Sequence, residues 1–196
     1  MIGKRKALMV MMAATWLVGL AAVAQANAAG QASAGDGQLL FDLRAAGVVP
    51  AGALQTIDGR DTLVHVFRDQ SRLALQRVPA DWSAYHALAL TVSCRQPLAG
   101  RYSLIIRSEN RDMPGPDYFS FALPARFSGT HELVLPLAEL SRVRSPRGMD
   151  QIDGVDFYRD WIGNNPPDAD NVVTISDLRL VKDFSIVNVR GPRLSD

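Results

Sequence analysis

The chain has 196 residues, with 21 Lys and Arg against 20 Asp and Glu, a formal net charge of +1 at pH 7, and one cysteine. Near-neutrality excludes polyanion or nucleic-acid binding by bulk electrostatics. A lone cysteine excludes an internal disulfide, so the fold must stand on packing, or on packing plus an ion.

At the start, Lys4, Arg5 and Lys6 form a short positive cluster. The run Ala7–Ala24 follows without a charge and with Thr15 as its one polar side chain. Small residues then stand in the spacing a signal peptidase reads, at Ala24-Gln25-Ala26 or Ala26-Asn27-Ala28. Positive flank, apolar middle and A-x-A exit make the secretory pattern, so residues 1–28 are expected to form a signal helix that is removed. An uncleaved membrane anchor is the alternative, because the run approaches the ~20 residues that span a bilayer. Cleavage removes three cations and takes the net charge from +1 to −2. The mature chain, about 170 residues, suits one domain. It is expected to be secreted or periplasmic, with no stable membrane insertion.

Residues 29–37 are small and polar and read as a flexible lead-in. Short apolar runs then alternate with turn signals roughly every ten residues, the rhythm of a β-sandwich or barrel. The predicted strands are Gln38–Leu43, Thr62–Phe67, Arg72–Val78, His86–Ser93, Tyr102–Glu109, Tyr118–Leu123, His131–Pro136, Gly154–Tyr158 and Val172–Val181. Between them sit Pro50 with Gly52, Asp58-Gly59, Pro97 with Gly100, Pro114-Gly115-Pro116, Ser128-Gly129 and Asn164-Asn165-Pro166-Pro167.

Period-two alternation is clearest in three places. Leu88, Leu90 and Val92 oppose Ala89, Thr91 and Ser93; Phe119, Phe121 and Leu123 oppose Tyr118, Ser120 and Ala122; Val155 and Phe157 oppose Asp156 and Tyr158. Each strand is therefore expected to have one core face and one polar face, as in antiparallel sheets with a solvated side. One helical turn is predicted at Leu137–Leu140. The sandwich domain spans 38–184, and the tail 185–196 loses the pattern around Gly191-Pro192. Cys94 is expected to be buried and inert.

Three stretches resemble one family. They are Asp81-Trp82-Ser83-Ala84-Tyr85-His86-Ala87-Leu88; Arg107-Ser108-Glu109-Asn110 followed by Gly115-Pro116-Asp117-Tyr118-Phe119; and a longer set. That set runs through Glu132–Leu140, Arg144–Asp153, Trp161-Ile162-Gly163 and Ile175–Leu180. In order and spacing these are similar to the carbohydrate-binding-module-like domain found beside heparinase II/III-type polysaccharide lyases. The resemblance covers about Asp81 to Val181. It departs at Met149, where an aromatic is usual, at Thr130, where a tryptophan after the glycine is frequent, and at Ser176, one position of a terminal acidic pair. It implies an all-β, antiparallel, galactose-binding-like jelly-roll sandwich that binds an oligo- or polysaccharide.

Sugars are held by flat aromatic faces and by planar polar side chains. Candidate ligand-binding residues are Tyr118 and Tyr158 on polar faces, Arg107, Glu109 and Asn110 at a strand end, and Trp161, Asn164 and Asn165 in a turn-rich loop. Trp82 is expected to plug the core edge instead. The resemblance also brings the first and last strands together, so that Asp42 and Asp177 would meet and hold a structural Ca²⁺. Asp177 otherwise caps, or pairs with an arginine such as Arg179. No zinc spacing, nucleophile elbow or P-loop is present. Arg107-Ser108-Glu109-Asn110-Arg111 resembles a strand of jelly-roll alginate lyases, but the paired signatures that supply a histidine are absent. The expected role is a non-catalytic carbohydrate-binding module. The alternative is a sandwich that docks another envelope protein through an exposed apolar patch.

Overall fold

Two six-stranded antiparallel sheets face each other across one apolar core. The computed structural model describes residues 37–112, 114–159 and 169–183. The signal segment, nearly all of the lead-in, Trp161, Asn164, Asn165 and the tail lie outside the described residues. The first sheet runs β3 (Leu54–Ile57), β4 (Arg60–Val66), β12 (Val172–Val181), β6 (Ala87–Cys94) and β9 (Gly129–Pro136), with β1 (Gln38–Leu40) also paired to β12. The second runs β10 (Ser141–Val143), β8 (Tyr118–Leu123), β7 (Tyr102–Arg107), β11 (Gly154–Tyr158), β5 (Arg72–Leu75) and β2 (Val48–Val49). The last strand lies between β4 and β6, so the chain crosses between layers, as a jelly roll does. A single 3₁₀ turn, Leu137–Glu139, follows β9. No helix among the described residues is long and apolar enough to cross a membrane.

The alternation seen in the sequence supplies the core. Leu88, Leu90 and Val92 from β6 and Val173, Ile175 and Leu180 from β12 meet Leu104, Ile106, Val155, Phe157, Leu73 and Leu75 from the second sheet. Trp82 is wholly buried, edge-on to Phe41 at 5.7 Å, and its indole N–H donates to the Pro79 carbonyl at 2.7 Å. That bond lets a polar ring atom enter an apolar core without a desolvation penalty. Cys94 is buried too, and burial pushes its thiol up to about 11, which keeps it protonated and inert.

One polar residue sits on the core side by design of the strand period. His65, between Leu63 and Phe67 on β4, is fully buried. Its Nε2 lies 3.2 Å from the Gln70 carbonyl and its Nδ1 3.0 Å from the Tyr102 hydroxyl. A carbonyl only accepts, so Nε2 carries the proton and Nδ1 accepts from the tyrosine. Burial, aided by the charge of Arg159, lowers the imidazole to about 4.

Beyond shifts of one or two residues at the ends of β4, β6, β7 and β9, the structure departs from the sequence reading in four ways. The first strand stops at Leu40, because Asp42 turns the chain: its Oδ1 accepts the N–H groups of Arg44 and Ala45 at 3.0 Å each. β5 ends at Leu75 rather than Val78. Three short strands, β2, β3 and β10, are additional; β3 and β4 form a hairpin on Asp58-Gly59, with φ of 50° and 75°. Both positive values suit a two-residue type I′ turn. Finally, β7 does not have one polar face: Tyr102 to Ile106 are buried on both sides. Its outward Ser103 lies between Tyr158 and Ala122, and Ile105 between Asp156 and Ser120.

Candidate functional site

Because Leu104, Ile106, Val155, Phe157, Leu73 and Leu75 point into the core, their strand neighbours point the other way. The outer face of the second sheet therefore carries Ser103, Ile105 and Arg107 from β7, Gly154, Asp156 and Tyr158 from β11, Arg72 and Ala74 from β5, and Tyr118 from β8. Register sets their neighbours. Arg107 lies between Tyr118 and Gly154, Asp156 between Ile105 and Ala74, and Tyr158 between Ser103 and Arg72.

Asp156 is the hub. Its carboxylate is 2% exposed, and two arginines reach it from opposite sides. Arg72 donates through Nη2 to both oxygens at 3.0 Å, and Arg107 Nε stands 3.2 Å from Oδ2. Burial pushes this carboxyl up, and the charges of Arg107 and Arg72 oppose that shift. The Arg72 guanidinium also lies 5.7 Å from the centroid of the Tyr158 ring, within cation–π range. Arg72 is 44% exposed and Arg107 25%, so both cations reach solvent above a buried anion.

Two further features shape this face. Gly154 makes room for Arg107. A Cβ there would fall 1.9 Å from Arg107 Nη2 and 2.7 Å from the Leu75 carbonyl oxygen, so only a glycine lets the guanidinium cross β11 toward Asp156. Ser103 is 2% exposed, and its Oγ has no hydrogen-bond partner among the described residues.

Of the residues singled out in the sequence, Arg107, Tyr118 and Tyr158 thus share one face, although Tyr118 is only 6% exposed. Glu109 and Asn110 do not join them. The Glu109 side chain accepts the Asp117 N–H at 3.2 Å, and the Asn110 side chain accepts the Asp112 N–H at 3.2 Å. Together with buried Asp117, which accepts from Ser145 and Asn110, they lock the β7–β8 loop. Glu109 and Asn110 of the lyase-like stretch are therefore occupied in holding the loop. All three histidines lie in or beside first-sheet strands, away from this face. Arg72, Asp156, Ser103 and Gly154 were not anticipated. The signal for Asp156 was present: an acid inside a run of strand formers requires a partner.

Asp42 and Asp177 do come together, lining one concavity of about 410 Å³ with Arg60 and Asp61. One oxygen of each already has partners. Asp42 holds two backbone N–H groups, Asp177 Oδ2 accepts from Arg60 and Thr91 at 3.3 Å each, and Arg44 closes on Asp61. Arg179 instead donates to the Asp177 backbone carbonyl at 3.1 Å and pairs with Glu132. Two guanidinium ions bring the charge a cation would bring, and no group of three or more His, Cys, Asp or Glu among the described residues is arranged to hold a metal. A second concavity, of about 430 Å³, lies at the sandwich edge between Trp82, Tyr85, His86, Leu137 and Met149 and has no charged group other than histidine in its lining.

No protein-family model and no curated protein matches the chain. Among solved structures it is similar to a family 11 carbohydrate-binding module from Clostridium thermocellum in complex with a β-1,3-1,4-mixed-linked tetrasaccharide. The TM-score is 0.51 at 11% identity, covering 77% of this chain and 99% of that one. The family 11 module of a cellulosomal cellulase of Clostridium thermocellum gives 0.49 at 11%, covering 77% and 86%. A family 30 carbohydrate-binding module gives 0.47 at 12%, covering 67% and 88%. At such identities the likeness is one of architecture: the chain has the antiparallel jelly-roll β-sandwich fold that carbohydrate-binding modules have.

Proposed function

We propose that this domain is a non-catalytic carbohydrate-binding module, working outside the cytoplasm, that holds a glycan on the outer face of its second sheet. The observation that carries the reading is the group of Arg72, Arg107 and Tyr158 around buried Asp156. Ring faces and planar, pre-oriented donors are what a sugar needs, and fixed side chains reduce the entropy lost on binding. The fold neighbour solved with a bound tetrasaccharide supports the same reading. The sequence resemblance to domains beside polysaccharide lyases suggests that a lyase acts on the same polymer.

The rival, a protein-docking sandwich, needs a contiguous apolar patch. The large exposed hydrophobic residues among those described are Leu40, Val49 and Ile57, on three different strands of two sheets. Affinity electrophoresis of the mature chain through a panel of soluble glycans tests the proposal. Retardation by at least one polymer, lost in Tyr158→Ala and Arg72→Ala, is expected. Unretarded migration in every gel, with the protein shown to be folded, would refute it.

A further inference from the structure

An open sheet ends on strands whose outer backbone groups lack partners, and native proteins blunt such edges with shortness, proline, charge or a bulge. β1, β2, β3 and β10 are two to four residues long, and Pro50 follows β2 directly. β9 is not blunted. It runs for eight residues without lysine or arginine, pairs residue for residue with β6 throughout, and has its one proline at the last position. Among the described residues no strand lies on its other side. The Leu137 N–H donates to the His86 carbonyl at 2.9 Å, which sets the alternation of bonds along β9. His131, Leu133 and Leu135 bond to β6, while Thr130, Glu132, Val134 and Pro136 turn their backbone groups outward.

This edge is complementary to itself. Side chains opposite each other in an antiparallel pair share a face, so the outward set of one copy must stand opposite the outward set of another. Two registers give a carbonyl to every outward N–H of both copies. One sets Glu132 against Glu132, which like charge opposes. The other sets Glu132 opposite Val134 and Thr130 opposite Pro136, where the missing proline N–H leaves no donor unpaired. It also brings Leu133, half-buried against the core, face to face with Leu133 of the second copy. Arg179 stands in one row with Ala89 and Val134, so Glu132 of the second copy comes next in that row. Arg179 already pairs with Glu132 of its own copy, and two guanidinium groups then flank two carboxylates across a two-fold axis. We propose that two copies of this chain join through β9 in this register, making their first sheets one continuous sheet. Both second sheets then lie on the same side with their outer faces uncovered. The pairing does not rest on the glycan reading; with it, the dimer presents two binding faces to one polymer and gains avidity.

Sedimentation equilibrium of the mature chain tests the pairing. Dimer should dominate at ~100 μM and give way to monomer toward ~1 μM. Val134→Pro removes an outward N–H that the single copy leaves unused, and Glu132→Lys sets a cation beside the Arg179 side chains. Each variant, confirmed as folded by circular dichroism, should raise the dissociation constant at least ~10-fold. Leu133→Cys should give a disulfide-linked dimer on mild oxidation, because residues opposite at that non-hydrogen-bonded pair have Cα atoms ~4.5 Å apart. Buried Cys94 does not compete. A chain that stays monomeric at ~1 mM would overturn the proposal. A dimer that both Val134→Pro and Glu132→Lys leave undiminished would overturn it too, as would a dimer that Leu133→Cys fails to cross-link. Glycan binding by a chain that is monomeric throughout would leave the proposed function standing and strike the pairing alone.

Discussion

Replacing His65 by Gln is expected to remove a pH dependence of stability. The buried imidazole is held at about 4, against an ordinary value of 6.5. A histidine lowered in the folded state contributes stability that is fully present above 6.5 and is lost as pH falls through 4. Below about pH 6.5 the unfolded chain binds a proton that the folded chain refuses. Between pH ~7.5 and pH ~5.5, where ordinary carboxylates stay ionised, the linkage integral gives a loss of about 1 kcal/mol. The full difference, reached below pH 4, is about 3 kcal/mol. Glutamine keeps a donor for the Gln70 carbonyl and an acceptor for the Tyr102 hydroxyl and does not titrate. Urea unfolding of both proteins at the two pH values measures the effect. Wild type should lose about 1 kcal/mol more than His65→Gln over this interval. Equal losses would show that His65 is not the neutral, buried group described.

Three other outcomes follow from particular contacts. Trp82→Ala removes the largest wholly buried side chain and its bond to Pro79 and should cost about 3–5 kcal/mol by urea unfolding; a cost below ~1 kcal/mol would mean that the site collapses freely. Gly154→Ala should destabilise the fold by about 1–3 kcal/mol, since the new methyl meets the Leu75 carbonyl, and should weaken glycan binding by displacing Arg107. The melting temperature should be the same in EDTA and in millimolar calcium, because arginines already neutralise Asp61 and Asp177. A rise of several degrees with calcium would contradict that assignment.

How far the fold was legible depended on strand length and on how apolar its inward side chains were. β8, β11 and β12 have the bounds the sequence predicts; Phe119 and Phe157 sit in unbroken period-two runs, whereas β12 carries an irregularity between Ser176 and Arg179. β2 and β10 are two and three residues long, too short for a period to declare itself. β3 was recoverable: Asp58-Gly59 is a hairpin turn and implies a strand on each side. The site was half legible. Tyr158 and Arg107 follow from face and strand end, but that Arg72 lies opposite Tyr158 is a fact of β5–β11 pairing, which no local pattern encodes. Glu109 and Asn110 look the same in sequence whether they face a ligand or close a loop; the contacts to Asp117 and Asp112 decide it. The buried outer side of β7 was missed because Ser103 and Ile105 are covered through tertiary neighbours, not through their own alternation.

The most direct measurement of where a glycan sits is a nitrogen-edited NMR titration of the mature chain with a short oligosaccharide cut from whichever polymer binds. Amide shifts should concentrate on Arg72–Ala74, Ser103–Arg107 and Gly154–Tyr158, with the first sheet unmoved. Shifts gathered instead around Trp82, Tyr85 and His86, or on β6 and β9, would place the ligand elsewhere and contradict the account.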